Sequence, residues 1–272
     1  MSVILNRSLE QYLKTTTVGV TTKPITITAW VKSFDLDNYQ GIFSITNNSN
    51  EFLSSWLAGA VAGDPVAALE YATAWKRARS SNGYSKGVWT HIACVFYSST
   101  DRRVYINGGG KIVNTDNQNV NFSLFDQILI GTYKTVTSAY FGGKIAHVSI
   151  WSTDLSDAQI VSLAGGTNPQ DVELASLEAY WPLKSNGNEL ANSNTLVAHN
   201  DPIWDSDDNP NVSAYTGASI GWPGDRPVDY DADKYWDEES ETWGSGRVTI
   251  PGAFAEYLVA VGEEGEVYFG TG

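Results

Sequence analysis

The sequence is poor in residues that build covalent or metal cross-links. It contains one cysteine, Cys94, and three histidines among 272 residues, so no disulfide can form within the chain. Cys94 and His91 share one apolar stretch, but a strand directs them to opposite faces because their spacing is odd. A thiolate nucleophile needs a base within hydrogen-bond reach. We therefore expect an inert, buried cysteine and a structural, hydrogen-bonded histidine.

Long apolar runs and basic clusters are also missing. No run reaches the length of a membrane span, and the start, MSVILNRSLEQYL, does not have the pattern of a signal peptide. We expect no membrane contact and no export signal. Residues 1–199 contain 14 Lys or Arg and 15 Asp or Glu, whereas residues 200–272 contain 3 and 16. Phosphate binding needs cationic clusters, so nucleic acid is not an expected partner.

Short strands separated by turn residues dominate the first two thirds of the chain. In ITITAWVKSF, for example, polar and apolar residues alternate with the period of a strand. Gly108 to Gly110 allow a tight hairpin turn, and Ser156 with Gln159 predicts the capping box of one short helix. The predicted strands are residues 25–34, 41–45, 67–75, 91–97, 102–108, 127–133, 144–151 and 175–183.

This pattern predicts an all-β fold, a two-sheet antiparallel jelly-roll sandwich with a small C-terminal β extension. The composition changes at Val212, where Gly, Pro, aromatic and acidic residues become frequent. We therefore predict a jelly-roll domain over residues 1–211. Residues 212–272 are predicted to form an acidic linker and a small β-rich segment for docking or assembly.

Nine motifs follow one another between residue 2 and about residue 183: SLEQYLKTT, ITITAWVK, GIFSI, AGDPVAA, GVWTHIACVF, RRVYINGG, LIGTY, YFGGKIAHVSIWSTDLSDAQIVSLAGG and LEAYWPL. Their order resembles the laminin-G-like jelly rolls of the concanavalin A-like lectin and glucanase superfamily, of the kind found in bacteriophage structural proteins. The resemblance implies two curved sheets packed face to face, with ligands on the concave face or the rim loops. Ala146 and His147 stand where many relatives have acidic residues, so no role of those carboxylates is carried over.

Catalytic patterns are missing. Glucanases of this superfamily use carboxylates spaced as Glu-x-Asp-x-x-Glu, whereas Glu70 and Glu178 stand alone among apolar residues. No Gly-x-Ser-x-Gly turn of a serine hydrolase is present. We expect a protein that is not an enzyme, with a glycoside hydrolase-related enzyme as the remote alternative.

Aromatic residues are the candidates for ligand contact, because sugar rings stack on exposed aromatic rings. Of the ten Trp residues, several belong to predicted strands, while others lie near strand ends or loops. Core packing is the alternative role for each candidate. The candidate ligand-binding residues are Trp56, Trp75, Tyr84, Tyr133 and Tyr140.

Calcium is the one cofactor that the residue types suit. In DYDADKYWDEESE, the side chains of Asp229, Asp231 and Asp233 alternate and offer the hard oxygen ligands that Ca²⁺ prefers. Lys234 occupies the place of the glycine that an EF-hand loop needs. A solvated acidic linker is therefore favoured over a calcium loop, and both interpretations stay open.

The last residues return to strand-like runs at 248–250, 257–261 and 266–269. Such a small sheet needs a larger surface to pack on, which is its own domain, sister chains or a larger assembly. A cap on its own domain and an assembly device are equally compatible with the pattern. The candidate assembly residues are Val248, Ile250, Tyr257, Val259, Val267 and Phe269.

Two functions from different classes follow. The first is a decoration protein on the surface of a bacteriophage virion, made in the host cytoplasm. Its partners are other virion or assembly proteins and further copies of itself as a homo-oligomer, with glycans as ligands of the exposed jelly roll. The alternative is a glycan-binding, lectin-like module that is cellular, at the cell surface or extracellular, by a route that the sequence does not display.

The acidic segment allows a direct test of the virion function. If residues 213–272 dock the protein, the full chain co-purifies with particles and a chain that lacks these residues does not. Sedimentation of particles with each chain measures the difference. A shortened chain that still sediments with particles contradicts the docking role of the segment.

Overall fold

The computed structural model describes residues 2–47, 51–58, 65–133, 139–184, 187–188, 190–191, 194–208 and 210–215, and short strands at 236–237, 242–243, 259–261 and 267–269. It divides into two compact units, Met1–Ser219 and Ile220–Gly272. In chain order, the strands of the first unit are β1 (Ser2–Leu5), β2 (Tyr12–Thr15), β3 (Ile25–Ser33), β4 (Tyr39–Thr46), β5 (Phe52–Ala58), β6 (Pro65–Tyr71), β7 (Trp75–Gly83), β8 (Thr90–Ser98), β9 (Asp101–Ile106), β10 (Gly109–Asn114), β11 (Gln127–Ile130), β12 (Gly143–Trp151), β13 (Leu177–Trp181), β14 (Val197–His199) and β15 (Ile203–Asp205).

These strands form two antiparallel sheets, which confirms the predicted all-β sandwich. The first sheet has the order β10-β9-β8-β3-β12-β1-β15, and β13 also pairs with β12. The second sheet has the order β14-β2-β11-β4-β5-β6-β7. In the described chain, three 3-10 turns and one helix, α1 (Asp157–Ala164), interrupt the strands after residue 120. The turns are Phe122–Leu124, Pro169–Asp171 and Leu174–Ser176.

The core lies between the sheets and follows from side-chain alternation. On β3, residues Ile25, Ile27, Ala29 and Val31 belong to the central cluster of buried apolar residues. On β8, Cys94 belongs to the same cluster, while its neighbours Ala93 and Val95 belong to a second cluster on the other side of the sheet. Burial raises the pKa of the Cys94 thiol to about 12. The prediction of a buried cysteine is confirmed.

Helix α1 packs on the outer side of the first sheet. Its Ser156 and Gln159 form the predicted capping box, and Ile160 and Leu163 are buried. Gly108, in the β9–β10 turn, has φ +76°, and a Cβ there would lie 2.9 Å from the Cα of Val161. The turn therefore needs glycine for its conformation and for its close approach to the helix.

Strand β7 corrects the sequence prediction at residues 67–75. The predicted single strand is instead the end of β6, a turn, and the first residue of β7, with Tyr71 opposite Trp75. The sequence of β7, WKRARSSNG, contains mainly polar and charged residues. Its hydrophobic content is too low for the strand pattern, and pairing with β6 determines its conformation.

Two strands complete the sandwich after residue 195. β14 pairs with β2 at the edge of the second sheet, and β15 pairs with β1 at the edge of the first. The segment is anchored by Asp208, whose carboxylate accepts from Lys32 at 2.8 Å, Lys144 at 2.7 Å and the indole of Trp89 at 2.8 Å. These donors hold the pKa of Asp208 well below its usual range.

The second unit is described only through four short strands: β16 (Trp236–Asp237), β17 (Thr242–Trp243), β18 (Val259–Val261) and β19 (Val267–Phe269). β16 pairs with β17, and β18 pairs with β19, with Val259 opposite Phe269. Two of the three predicted strand-like runs, 257–261 and 266–269, therefore contain paired strands. The other predicted residues of this unit, Asp229, Asp231, Asp233, Val248, Ile250 and Tyr257, lie outside the described residues. In the described part of the chain, no helix is long and apolar enough to cross a membrane.

A buried ion cluster lies at one end of the sandwich. The carboxylate of Glu70 is fully buried and accepts from Lys23 Nζ at 2.6 Å and Arg102 Nε at 3.2 Å. Arg102 also donates to the backbone oxygens of Ser99, at 3.0 Å, and Asp116, at 2.9 Å. Glu70, which has no carboxylate neighbour in the sequence, therefore compensates two cations that are distant in sequence.

Replacing Glu70 tests the contribution of this cluster. We expect Glu70→Gln to lower the free energy of unfolding by about 3–5 kcal/mol, because two cations are left buried without a counter-ion. Urea denaturation measures the change, and Asp126→Asn, at an exposed carboxylate, serves as the control. A loss below about 1 kcal/mol would show that the cluster is not needed for stability.

Candidate functional site

The two sheets differ in what covers the sides turned away from the core. On the first sheet, α1 and the segment after it cover a cluster that includes Trp151, Leu155 and Tyr180. On the second sheet, a separate cluster contains Phe52, Trp56, Ala67 and Leu69, with Tyr71 and Tyr133 packed against it. Strands β5, β6 and β7 position these residues, because every second side chain points away from the core.

Five rings form what we call the aromatic face: Phe52, Trp56, Tyr71, Trp75 and Tyr133. The indoles of Trp56 and Trp75 are stacked, with centroids 6.1 Å apart and planes inclined by 12°. Tyr133 contacts both, at 6.0 Å from Trp56 and 6.4 Å from Trp75. Phe52 stacks on Tyr71 at 5.4 Å. The five rings therefore form one continuous aromatic surface.

The ring of Tyr133 can contact the other rings because the chain after β11 passes close to β4 at a glycine. A Cβ on Gly41 would lie 2.4 Å from the backbone nitrogen of Tyr133, so a larger residue would displace this segment. Gly41 N–H donates to Ala139 O at 2.7 Å, and Phe141 N–H donates to Gly131 O at 2.8 Å. The first bond holds Ala139 against β4, and the second joins Phe141 to Gly131 directly after β11.

The rings of the face differ in exposure. Trp75 is 44% exposed, whereas Trp56 is 7% exposed. The Nε1 donor of Trp56 and the hydroxyl of Thr132, next to Tyr133, are buried without a hydrogen-bond partner among the described residues. A buried donor without an acceptor costs free energy. The aromatic face therefore presents one exposed ring for stacking, supported from below by buried rings.

The structure brings three of the five sequence-predicted aromatic residues together. Trp56, Trp75 and Tyr133 belong to the aromatic face. Tyr84 packs in the core between the sheets, and its hydroxyl donates to Asp35 O at 3.1 Å. Tyr140 lies 6.3 Å from the ring of Tyr12, at another position on the molecule. Sequence reasoning missed Phe52 and Tyr71, and their signal was the two-residue alternation along β5 and β6.

A cleft lies at the rim of the sandwich, apart from the aromatic face. This rim cleft has a volume of about 940 Å³, and Lys23, Glu51, Tyr97 and Asn119 are among its lining residues. Much of its polar lining already has partners within the protein: Lys23 donates to Glu70, and Glu51 accepts from Asn121 N at 2.6 Å. The ring of Tyr97 is exposed, with the guanidinium of Arg103 at 4.9 Å.

The described residues include no group of three His, Cys, Asp or Glu side chains placed to hold a metal ion. The histidines are buried or packed in other ways. The Nδ1 of His147 lies 2.6 Å from the hydroxyl of Tyr180, and His91 packs edge-on against Trp30 with centroids 5.2 Å apart. The backbone N–H of His91 donates to Asn107, but its Nδ1 has no partner within the described chain. The predicted hydrogen bond therefore involves the backbone and not Nδ1.

Comparison with known proteins identifies the fold family. The family model described as the concanavalin A-like lectin/glucanases superfamily matches residues 7–161, more than half of the chain. Among curated proteins, none matches the chain.

Solved structures resemble this chain at low sequence identity. A protein from Bacteroides ovatus ATCC 8483 that is named for carbohydrate binding has a TM-score of 0.52 and 16% identity, over 74% of this chain and 58% of that chain. The native heptameric SAP-like pentraxin from Limulus polyphemus has a TM-score of 0.49 and 18% identity, over 71% and 87%. Domain 4 of AbnA, a GH43 extracellular arabinanase from Geobacillus stearothermophilus solved with arabinotriose, has a TM-score of 0.47 and 23% identity, over 53% and 68%.

The buried histidines predict a pH dependence of stability. Burial lowers the pKa of His91 and of His147 to about 3, while the unfolded chain binds these protons near pH 6.5. The free energy of unfolding should therefore be fully retained above pH 6.5 and fall on acidification, by about 1.4 kcal/mol per pH unit for each histidine. Urea denaturation between pH 7.5 and 5 measures the slope. His91→Gln should reduce the slope by the contribution of one histidine, about 1.4 kcal/mol per pH unit. An unchanged slope would contradict the assignment of the pH dependence to the buried histidines.

Proposed function

Because the chain belongs to the concanavalin A-like lectin/glucanases superfamily, we propose that it is a glycan-binding module whose aromatic face holds the sugar. The observation that carries this proposal is the exposed ring of Trp75, which stacks on the buried ring of Trp56 within a continuous set of aromatic rings. Sugar sites need a ring surface for the C–H face of a pyranose or furanose and a few polar groups for its hydroxyls. The name of the Bacteroides ovatus neighbour supports the same ligand class.

The proposed activity is binding without catalysis. Hydrolysis of a glycosidic bond needs two carboxylates on either side of that bond. The described outward-facing residues of β5, β6 and β7 include no Asp or Glu, and Glu70 on β6 is buried in ion pairs on the core side. A surface built from aromatic rings suits recognition of a glycan.

The interpretation as a virion decoration protein stays a prediction. The family match supports the lectin-like module, which the sequence offered as the alternative, and none of the relatives named above is a bacteriophage protein. A location at the cell surface or outside the cell accords with glycan binding. The two functions are compatible, since a module on a particle can also bind glycans.

A glycan array with the full-length protein tests the proposed function. We expect binding that persists in EDTA, because stacking on the aromatic face needs no cation. Loss of binding in EDTA would contradict this mechanism. It would favour a calcium-dependent site with carboxylates such as Asp229, Asp231 and Asp233.

Two variants locate the site. Trp75→Ala should weaken binding by at least about tenfold, because it removes the exposed stacking ring. Tyr97→Ala is the matched control, since Tyr97 is also 44% exposed but lies at the rim cleft. Loss of binding in Tyr97→Ala with retention in Trp75→Ala would assign the sugar to the rim cleft and overturn the proposal.

A further inference from the structure

Two arginines extend the aromatic face along the edge strand β7. Arg77 and Arg79 follow Trp75 at two-residue intervals, so all three side chains project from the same side of the sheet. Arg77 lies opposite Leu69, and Arg79 lies opposite Ala67, both of which belong to the cluster beneath the aromatic rings. The guanidinium carbon of Arg77 is 5.9 Å from the centre of the Trp56 ring.

These arginines differ from others in the described chain by lacking counter-ions. Arg102 pairs with Glu70, Arg103 pairs with Asp101, and Arg7 lies 3.8 Å from Asp35. Neither Arg77 nor Arg79 forms an ion pair or hydrogen bond with any residue that the structure describes. Arg77 is exposed and Arg79 is half-buried, so neither side chain is fully enclosed by the described part of the protein.

The local charge is the opposite of the charge of the chain. The chain has a net charge of -14, yet the outward-facing residues of β5 to β7, as far as they are described, include two cations and no carboxylate. Guanidinium groups donate paired hydrogen bonds to carboxylate and sulfate oxygens, and a stacked guanidinium retains its in-plane donors. The surroundings of Trp75 therefore suit an anionic group beside a stacked ring.

We infer that the aromatic face recognises acidic glycans, whose carboxylate or sulfate groups bind Arg77 and Arg79 while a sugar ring stacks on Trp75. This inference rests on the proposed glycan-binding function and specifies its substrate class. The spacing of two residues separates the two arginine Cα atoms by about 6.6 Å. Both guanidinium groups can therefore contact one charged sugar or two neighbouring sugars.

Matched pairs of polymers test the charge requirement. Isothermal titration of the full-length protein compares galacturonan oligomers with their methyl esters, and dextran sulfate with dextran. We expect the charged member of at least one pair to bind at least about tenfold more tightly, and its affinity to fall with added salt. The galacturonan pair tests carboxylate recognition, and the dextran pair tests sulfate recognition. Equal affinities within both pairs would overturn the inference.

Variants separate charge recognition from stacking. Arg77→Gln/Arg79→Gln should weaken binding of the charged polymer at least about tenfold. Lys184→Gln removes one exposed charge elsewhere and should leave the affinity unchanged. If Trp75→Ala abolishes binding but the double variant does not, the proposed function stands and the inference fails. If neither variant changes the affinity, both fail, because the ligand then binds outside the aromatic face. Circular dichroism confirms that each variant retains the sandwich fold.

Discussion

The alternation of side chains along each strand is the constraint on which the rest of the structure depends. When one face of a strand packs into the core between two sheets, the side chains of its other face point away from that core. In the first sheet, α1 and the chain after it cover that second face. In the second sheet, the second face of β5 to β7 instead carries aromatic rings and two arginines. The core of the sandwich and the aromatic face are therefore two sides of the same three strands.

Much of the fold could be predicted because its signals are local. The alternation in β3, the glycines of the β9–β10 turn and the capping box of α1 each depend on residues close in sequence. Strand β7 could not be predicted in this way, because its residues acquire strand conformation through pairing with β6. The partners of Glu70 were equally hidden, since Lys23 and Arg102 lie 47 and 32 residues away.

The candidate site shows the same limit. Aromatic composition selected Trp56, Trp75 and Tyr133, but the same reasoning selected Tyr84, which the core encloses. The difference depends on the side of the strand that each residue occupies and on the close approach at Gly41. The role of Arg77 and Arg79 was also not visible in the sequence, because the position of a counter-ion depends on long-range contacts.

The position of β1 has a consequence for how the chain reaches its native state. Ser2–Leu5 lies between β12 and β15, with Val3 opposite both Ile145 and Trp204. During synthesis, β1 must therefore wait for about 200 further residues before both of its edges are paired. Such distant pairings slow folding, because the entropy cost of loop closure arises before the stabilising contacts can form. During that interval β1 presents unpaired backbone groups, and a chaperone that binds extended apolar segments would shield them from other chains.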